Sequence, residues 1–146
     1  MDVTGSYTFA AAPDRLWDLL MDPSVISSCI PGCNGFEPEG DDRYRVKLTV
    51  AMAAITGTYD GTVVISDRIP GVSYRLTVEG RGRPGFVKGT AALALRAEGA
   101  GTVVDVTGKV EVGGPIARVG QRLLGSVSKM MQDQFFSCLQ TKTTSP

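Results

Sequence analysis

The chain contains no histidine. That removes the commonest general base, the commonest metal ligand and every dyad or triad built on imidazole. Cysteine is scarce: Cys29, Cys33 and Cys138 cannot close a four-ligand zinc site without carboxylate help. Net charge is missing too. Fifteen basic residues balance fifteen acidic ones, so the surface as a whole has no electrostatic footprint for nucleic acid or for an anionic membrane. No apolar run approaches the roughly 20 residues of a membrane span. The opening MDVTGSYTF lacks the basic and apolar regions of a secretory leader. These absences predict a cytoplasmic protein. Its 146 residues, 42% of them hydrophobic, suit one domain with a real core.

What is present is patterned. Residues 3–11 read as a strand with Tyr7 and Phe9 on one face. APDRLWDLLMDP opens a helix: Pro13 suits the first turn, Asp14 the positive end of the helix dipole. Leu16, Leu19 and Leu20 make its apolar stripe, with Trp17 on the flank. Pro23 breaks it, and SVISSCI reads as a second short helix. From Arg43 to Gly114 the apolar period becomes two. Tyr44, Val46, Leu48, Val50 and Met52 share one face of the first such segment, RYRVKLTVAMAA. Later segments repeat the alternation, ending with Val104, Val106, Gly108, Val110 and Val112. This describes an antiparallel sheet with one wet face. The period then changes again. Ile116, Val119, Leu123, Val127, Met130, Met131, Phe135 and Cys138 recur at three- and four-residue steps, predicting one long helix opened by Pro115. It is the element long enough to cover the sheet. A single domain over residues 1–140 is expected, with 141–146 as a flexible tail.

The inward face of the sheet carries unexpectedly little volume. Gly61, Gly80, Gly89, Ala91 and Gly108 fall where large side chains belong. Gly120 and Gly125 add small residues to the facing helix, at roughly 1 kcal/mol each against alanine. Two readings follow: the glycines curve the sheet, or they leave an apolar hollow. Met52, Met130 and Met131 tilt toward the hollow, because thioether chains adapt to irregular apolar shapes.

Several motifs carry less than their letters suggest. GRGRPG at residues 80–85 matches a dinucleotide-binding fingerprint, but FVKGTAALAL after it reads as a strand where a helix is required. RGRP within it resembles a minor-groove hook, yet it sits at a hairpin of a neutral protein. Asp14, Asp18 and Asp22 on the first helix, and Glu37, Glu39, Asp41 and Asp42 in the loop expected after the second, read as solvated carboxylates; the spacing fits no EF-hand. CIPGC spaces Cys29 and Cys33 by three residues, one more than a redox CxxC. The cysteines read as buried core, a cytoplasmic setting arguing against a disulfide. Pro31 and Gly32 make a sharp corner into the sheet.

The order strand, two short helices, antiparallel strands and long terminal helix resembles the α+β helix-grip fold of START-like and Bet v 1-like proteins. APDRLWDLLMDP running into SSCIPGC, then ITGTYDGTV, GFVKGTAALAL, GTVVDVTGKVEVGGPIA and QFF look like one branch, the carbon monoxide dehydrogenase G-subunit family. The resemblance spans Gly5 to Leu139. It implies a cavity between a curved sheet and the C-terminal helix, holding a lipid or isoprenoid quinone non-covalently. It also implies service to a molybdenum hydroxylase of the carbon monoxide dehydrogenase type, as quinone carrier or accessory protein, with contact at the inner face of a membrane and no covalent cofactor. Related folds include cyclases and hydrolases; an assembly factor is the third reading. The cavity-lining residues expected from the sheet and its approach are Trp17, Leu48, Met52, Tyr59, Val63, Tyr74, Leu76, Phe86 and Leu93. Those from the helix are Leu123, Val127, Met131 and Phe135. None is expected to be catalytic, and no metal is expected.

Overall fold

A computed structural model describes residues 1–52 and 55–144. Strand β1 (Asp2–Phe9) leads into α1 (Pro13–Leu20) and α2 (Pro23–Cys29). Six strands follow: β2 (Cys33–Pro38), β3 (Arg43–Val50), β4 (Gly57–Ile69), β5 (Ser73–Gly82), β6 (Gly85–Glu98) and β7 (Gly101–Gly113). A 3-10 turn (Pro115–Val119) precedes α3 (Gln121–Thr144). The seven strands form one sheet in the order β1-β7-β6-β5-β4-β3-β2, every neighbouring pair antiparallel. This is the helix-grip arrangement: a curved sheet with α3 on its inner side.

Local chemistry explains the entry. Pro13 sits in the first turn of α1, and Leu16 and Leu20 are its buried face. Asp22 caps α2 by accepting a hydrogen bond from the Ser24 backbone N–H at 2.9 Å. The Ser24 side-chain and backbone bonds hold the Asp22 carboxyl below its ordinary range. At the CIPGC corner Gly32 has φ 73°, and a Cβ there would collide with the Thr49 carbonyl oxygen. The same close approach makes a bond, Thr49 N–H donating to Gly32 O at 2.9 Å. Only glycine fits this corner.

The grip is tightest at the far half of α3. Phe136 and Leu139 are buried among Phe9, Leu16, Leu20 and Val104. Tyr7 of β1 stacks on Phe136 with ring centroids 4.3 Å apart. Its hydroxyl donates to Asp133 Oδ1 at 2.6 Å and accepts from Gln132 Nε2 at 2.9 Å. Lys129 pairs with Asp133 at 2.9 Å. Tyr7 and Lys129 together hold the Asp133 carboxyl below its usual range.

Five expectations are corrected. CNGFEP, read as a corner and loop, is edge strand β2, so Glu37 lies on a strand and not in a loop. Gly35 and Pro38 hid the strand, and pairing with β3 on one side suffices to hold it; Phe36 stacks on Tyr44 at 4.8 Å. The single helix from Pro115 is broken at Gly120, whose φ of 90° lies in a region that glycine tolerates. Residues 141–144, expected in a flexible tail, continue α3, and Thr143 is buried; 145 and 146 lie outside the described residues. The strand read through residues 51–54 ends at Val50, with 53 and 54 again outside them.

The last correction concerns cysteine. Cys29 at the end of α2 is disulfide-bonded to Cys138 of α3, with Cα atoms 5.4 Å apart. The pair is not merely buried core. It staples the second helix to the gripping helix, and Cys33 remains free.

Candidate functional site

Between α3 and the sheet lie two adjoining hollows. The near lobe, of about 400 Å³, reaches toward the β5–β6 turn and the 3-10 turn, with Val50, Tyr59, Val87, Ile116 and Leu124 in its wall. The far lobe, of about 390 Å³, runs toward α1 and α2, bordered by Leu20, Ile26, Tyr74, Leu93 and Phe135. Ile30, Val63, Val78, Val110, Ser128 and Met131 border both. Each lobe is of the size that holds a small organic molecule.

The inward glycines explain how the hollow survives, and both readings of them hold at different positions. At Gly61 a Cβ would collide with the Glu79 carbonyl oxygen, and at Gly108 it would press on the Thr90 carbonyl and Ala91. Those two let neighbouring strands approach and bend. At Gly80 a Cβ would meet nothing within 4 Å. That glycine faces empty space in the near lobe.

The sequence profile of the carbon monoxide dehydrogenase G subunit, CoxG, matches residues 5–144. The chain belongs to the CoxG family. Among curated proteins none matches it. A conserved protein from Geobacillus kaustophilus is 36% identical, with a TM-score of 0.95 over 98% of this chain and 95% of that one. Ara h 8.0201 shares the fold at 16% identity, with a TM-score of 0.75 over 100% and 99% of the two chains. A START superfamily protein from Mycobacterium smegmatis does so at 12%, with a TM-score of 0.73 over 97% and 96%. The last two likenesses show the fold alone.

Within this CoxG-family chain, nine of the expected lining residues border the hollow. Leu48, Tyr59, Val63, Val127 and Met131 border the near lobe. Val63 and Met131 recur in the far lobe, joined by Tyr74, Leu76, Leu93 and Phe135. Trp17, Met52, Phe86 and Leu123 do not line it. Trp17 packs edge-on against Tyr74 from outside, with centroids 5.5 Å apart. Met52 lies past the end of β3, against the cluster of Val50, Ile55, Tyr59 and Ile116. Phe86 covers Gly113, where a Cβ would strike its ring. Leu123 is 37% exposed, and its neighbour Leu124 lines the near lobe instead. The break at Gly120 removes the single helical phase that would turn Leu123 inward. Met130 also faces outward, beside Lys129 and Asp133. Sequence reasoning misses Ile30, Ile116 and Leu124 as lining residues. Ile30 adjoins the Pro31–Gly32 corner, the one signal that could have placed it.

The two tyrosines differ. Tyr59 donates its hydroxyl to the Ile55 carbonyl at 2.7 Å, so its tip is used within the protein. Tyr74 is 5% exposed, and its hydroxyl has no hydrogen-bond partner among the described residues. Burial pushes the Tyr74 phenol well above its ordinary pKa. Because the folded state keeps this proton, its contribution to stability is full below about pH 10, the unfolded value, and is lost as pH rises beyond it. Tyr74→Phe should fold normally and lose less stability than wild type between pH 9 and 11, read from urea melts. An unchanged alkaline limb would show that Tyr74 is not sealed from water.

Elsewhere the hollow offers little to acid–base chemistry. Among the described residues the buried polar side chains are Thr102 and Thr143, neither of which borders it. Glu79 borders the near lobe but is an exposed residue. Among those residues, too, no group of three or more His, Cys, Asp or Glu could hold a metal. No helix among them is long and apolar enough to cross a membrane.

Proposed function

We propose that this protein is a carrier: it holds a lipid or isoprenoid quinone in the two-lobed hollow and serves a molybdenum hydroxylase of the carbon monoxide dehydrogenase type. The observation that carries the reading is the nearly all-apolar wall enclosing two lobes of about 400 and 390 Å³. A guest removing about 500 Å² of apolar surface from water gains roughly 12 kcal/mol of gross driving force. Ordering the guest consumes much of that. Shape gives such a wall little power to choose a polar end. The Tyr74 hydroxyl supplies one unspent donor, suited to a quinone or ester oxygen. Family membership supports the hydroxylase as the partner served. The shortage of buried titratable groups supports carriage over turnover.

Denaturing the purified protein, extracting it into organic solvent and identifying the extract by mass spectrometry tests this reading. One prenylated or acylated molecule per chain is the expected result. An empty extract, together with failure of the refolded protein to bind an added ubiquinone analogue or fatty acid, would overturn it.

A further inference from the structure

The two lobes are alike in volume and unlike in what they offer a polar group. Strand β5 runs the length of both. Its inward residues pass from Tyr74 and Leu76 in the far lobe, through Val78 in both, to Gly80 in the near lobe. Six residues of strand make that path about 20 Å long. The near lobe has spent its tyrosine, because the Tyr59 hydroxyl donates to the Ile55 carbonyl. At the far end the Tyr74 hydroxyl has no partner in a residue only 5% exposed. Its oxygen is not walled in either. Among the described residues no fully enclosed side-chain nitrogen or oxygen lacks a hydrogen bond, so the hydroxyl opens onto space, and the space Tyr74 borders is the far lobe.

A second hydroxyl stands across from it on α3. Ser128 falls between Leu124 and Met131 on the face of the helix that lines the hollow, and it borders both lobes. Serine within a helix commonly bonds back to the carbonyl four residues earlier, as Ser126 does to Arg122 at 3.0 Å. Ser128 makes no such bond, nor any other side-chain bond among the described residues. Gln132, the next polar residue along that face, has its amide N–H groups committed to Thr4 O and the Tyr7 hydroxyl. The far lobe therefore presents two free hydroxyl donors. No Lys, Arg, Asp or Glu among the described residues borders it; Lys129 and Asp133 pair with each other on the outer side of α3. An anion placed there would lose its water and find no cation.

We infer that the far lobe is a subsite for a neutral, carbonyl-bearing head group, held by the Tyr74 and Ser128 hydroxyls, with the guest's hydrocarbon tail lying along β5 into the near lobe. This deepens the carrier reading and rests on it. It also selects among amphiphiles. A quinone or an ester enters as it stands. A fatty acid enters as its neutral acid, so its affinity falls about tenfold per pH unit above the ordinary carboxyl pKa of about 4.3. Between pH 6 and 8 Tyr74, whose phenol burial holds protonated, is the titratable side chain facing that head, so the dependence belongs to the guest.

The test is displacement of N-phenyl-1-naphthylamine by two pairs of probes. The first pair is 2,3,5-trimethyl-6-decyl-1,4-benzoquinone and the decyltrimethylbenzene of the same carbon skeleton. Tyr74→Phe and Ser128→Ala should each weaken the quinone about fivefold, and together about 25-fold, one lost hydrogen bond apiece. The hydrocarbon should bind all of these proteins equally. The infrared carbonyl stretch of the bound quinone should lie below its value in hexane and move back toward it in Tyr74→Phe. The second pair is dodecanoic acid and its methyl ester. From pH 6 to 8 the acid should weaken about 100-fold and the ester not at all. Variants that affect quinone and hydrocarbon alike, a carbonyl stretch that ignores Tyr74, or an acid whose binding ignores pH would overturn the head-group assignment. If the hydrocarbon and the ester still bind in those cases, the carrier reading stands. If no probe of either pair displaces the dye, both readings fail.

Discussion

Gly80→Ile should make the protein both more stable and unable to carry. A Cβ at Gly80 meets nothing within 4 Å, and the residue sits mid-strand on β5 with no positive φ. Adding a β-branched side chain there removes the conformational freedom that glycine loses on folding, about 0.5–1 kcal/mol. It also buries an isoleucine side chain that fills the near lobe, about 1.5–3 kcal/mol when burial is complete. A gain of about 2 kcal/mol is expected, with Tm rising by roughly 4–8 °C. Affinity for an apolar probe should fall at least tenfold. The same change at Gly61 is the control. Its Cβ would collide with the Glu79 carbonyl oxygen, so Gly61→Ile should destabilise the sheet. Calorimetry and probe titration on the two variants separate a hollow from mere curvature. A Gly80→Ile protein that melts lower, or binds as tightly as wild type, would show that the residue does not face usable space.

The second large effect lies in the staple between Cys29 and Cys138. The bond closes a loop across a sequence separation of 109. In the chain-entropy account, closing a loop of this length in the unfolded state stabilises the fold by about 4–5 kcal/mol. Net stability for a domain of this kind is only about 5–15 kcal/mol. Cys138→Ser, or reduction, should therefore lower Tm by more than about 10 °C. Ile26 and Ile30, next to the staple, border the far lobe, so probe affinity should fall as α2 loosens. Cys33→Ser should change neither. Thiol titration of the unfolded chain should find one reactive group before reduction and three after it. Three before reduction, with a Tm that ignores reductant, would show that the bond is not formed in solution.

Much of this architecture is written in periodicity. The two-residue alternation from Arg43 onward specifies which side chains face inward, because a strand cannot shift by one residue without turning its whole apolar face outward. That is why residue order alone puts Leu48, Val63, Leu76 and Leu93 on the inner face. The small inward residues mark the hollow for the same reason. What periodicity cannot carry is geometry set between distant segments. A six-residue edge strand with glycine and proline looks like a loop until β3 supplies its hydrogen bonds. Leu123 and Leu124 are indistinguishable by type; the backbone at Gly120 decides between them. Pairing of Cys29 with Cys138 is invisible to local spacing, which draws attention to Cys33 instead.

The most direct measurement is a crystal structure of the protein with a fatty acid brominated near its tail, located by the anomalous signal of bromine. The carrier account predicts one bromine peak inside the protein, between Gly80 or Val78 on the sheet and Val127 or Met131 on α3. A peak on the outer surface only, or α3 seated on the strands with the tail excluded, would contradict it.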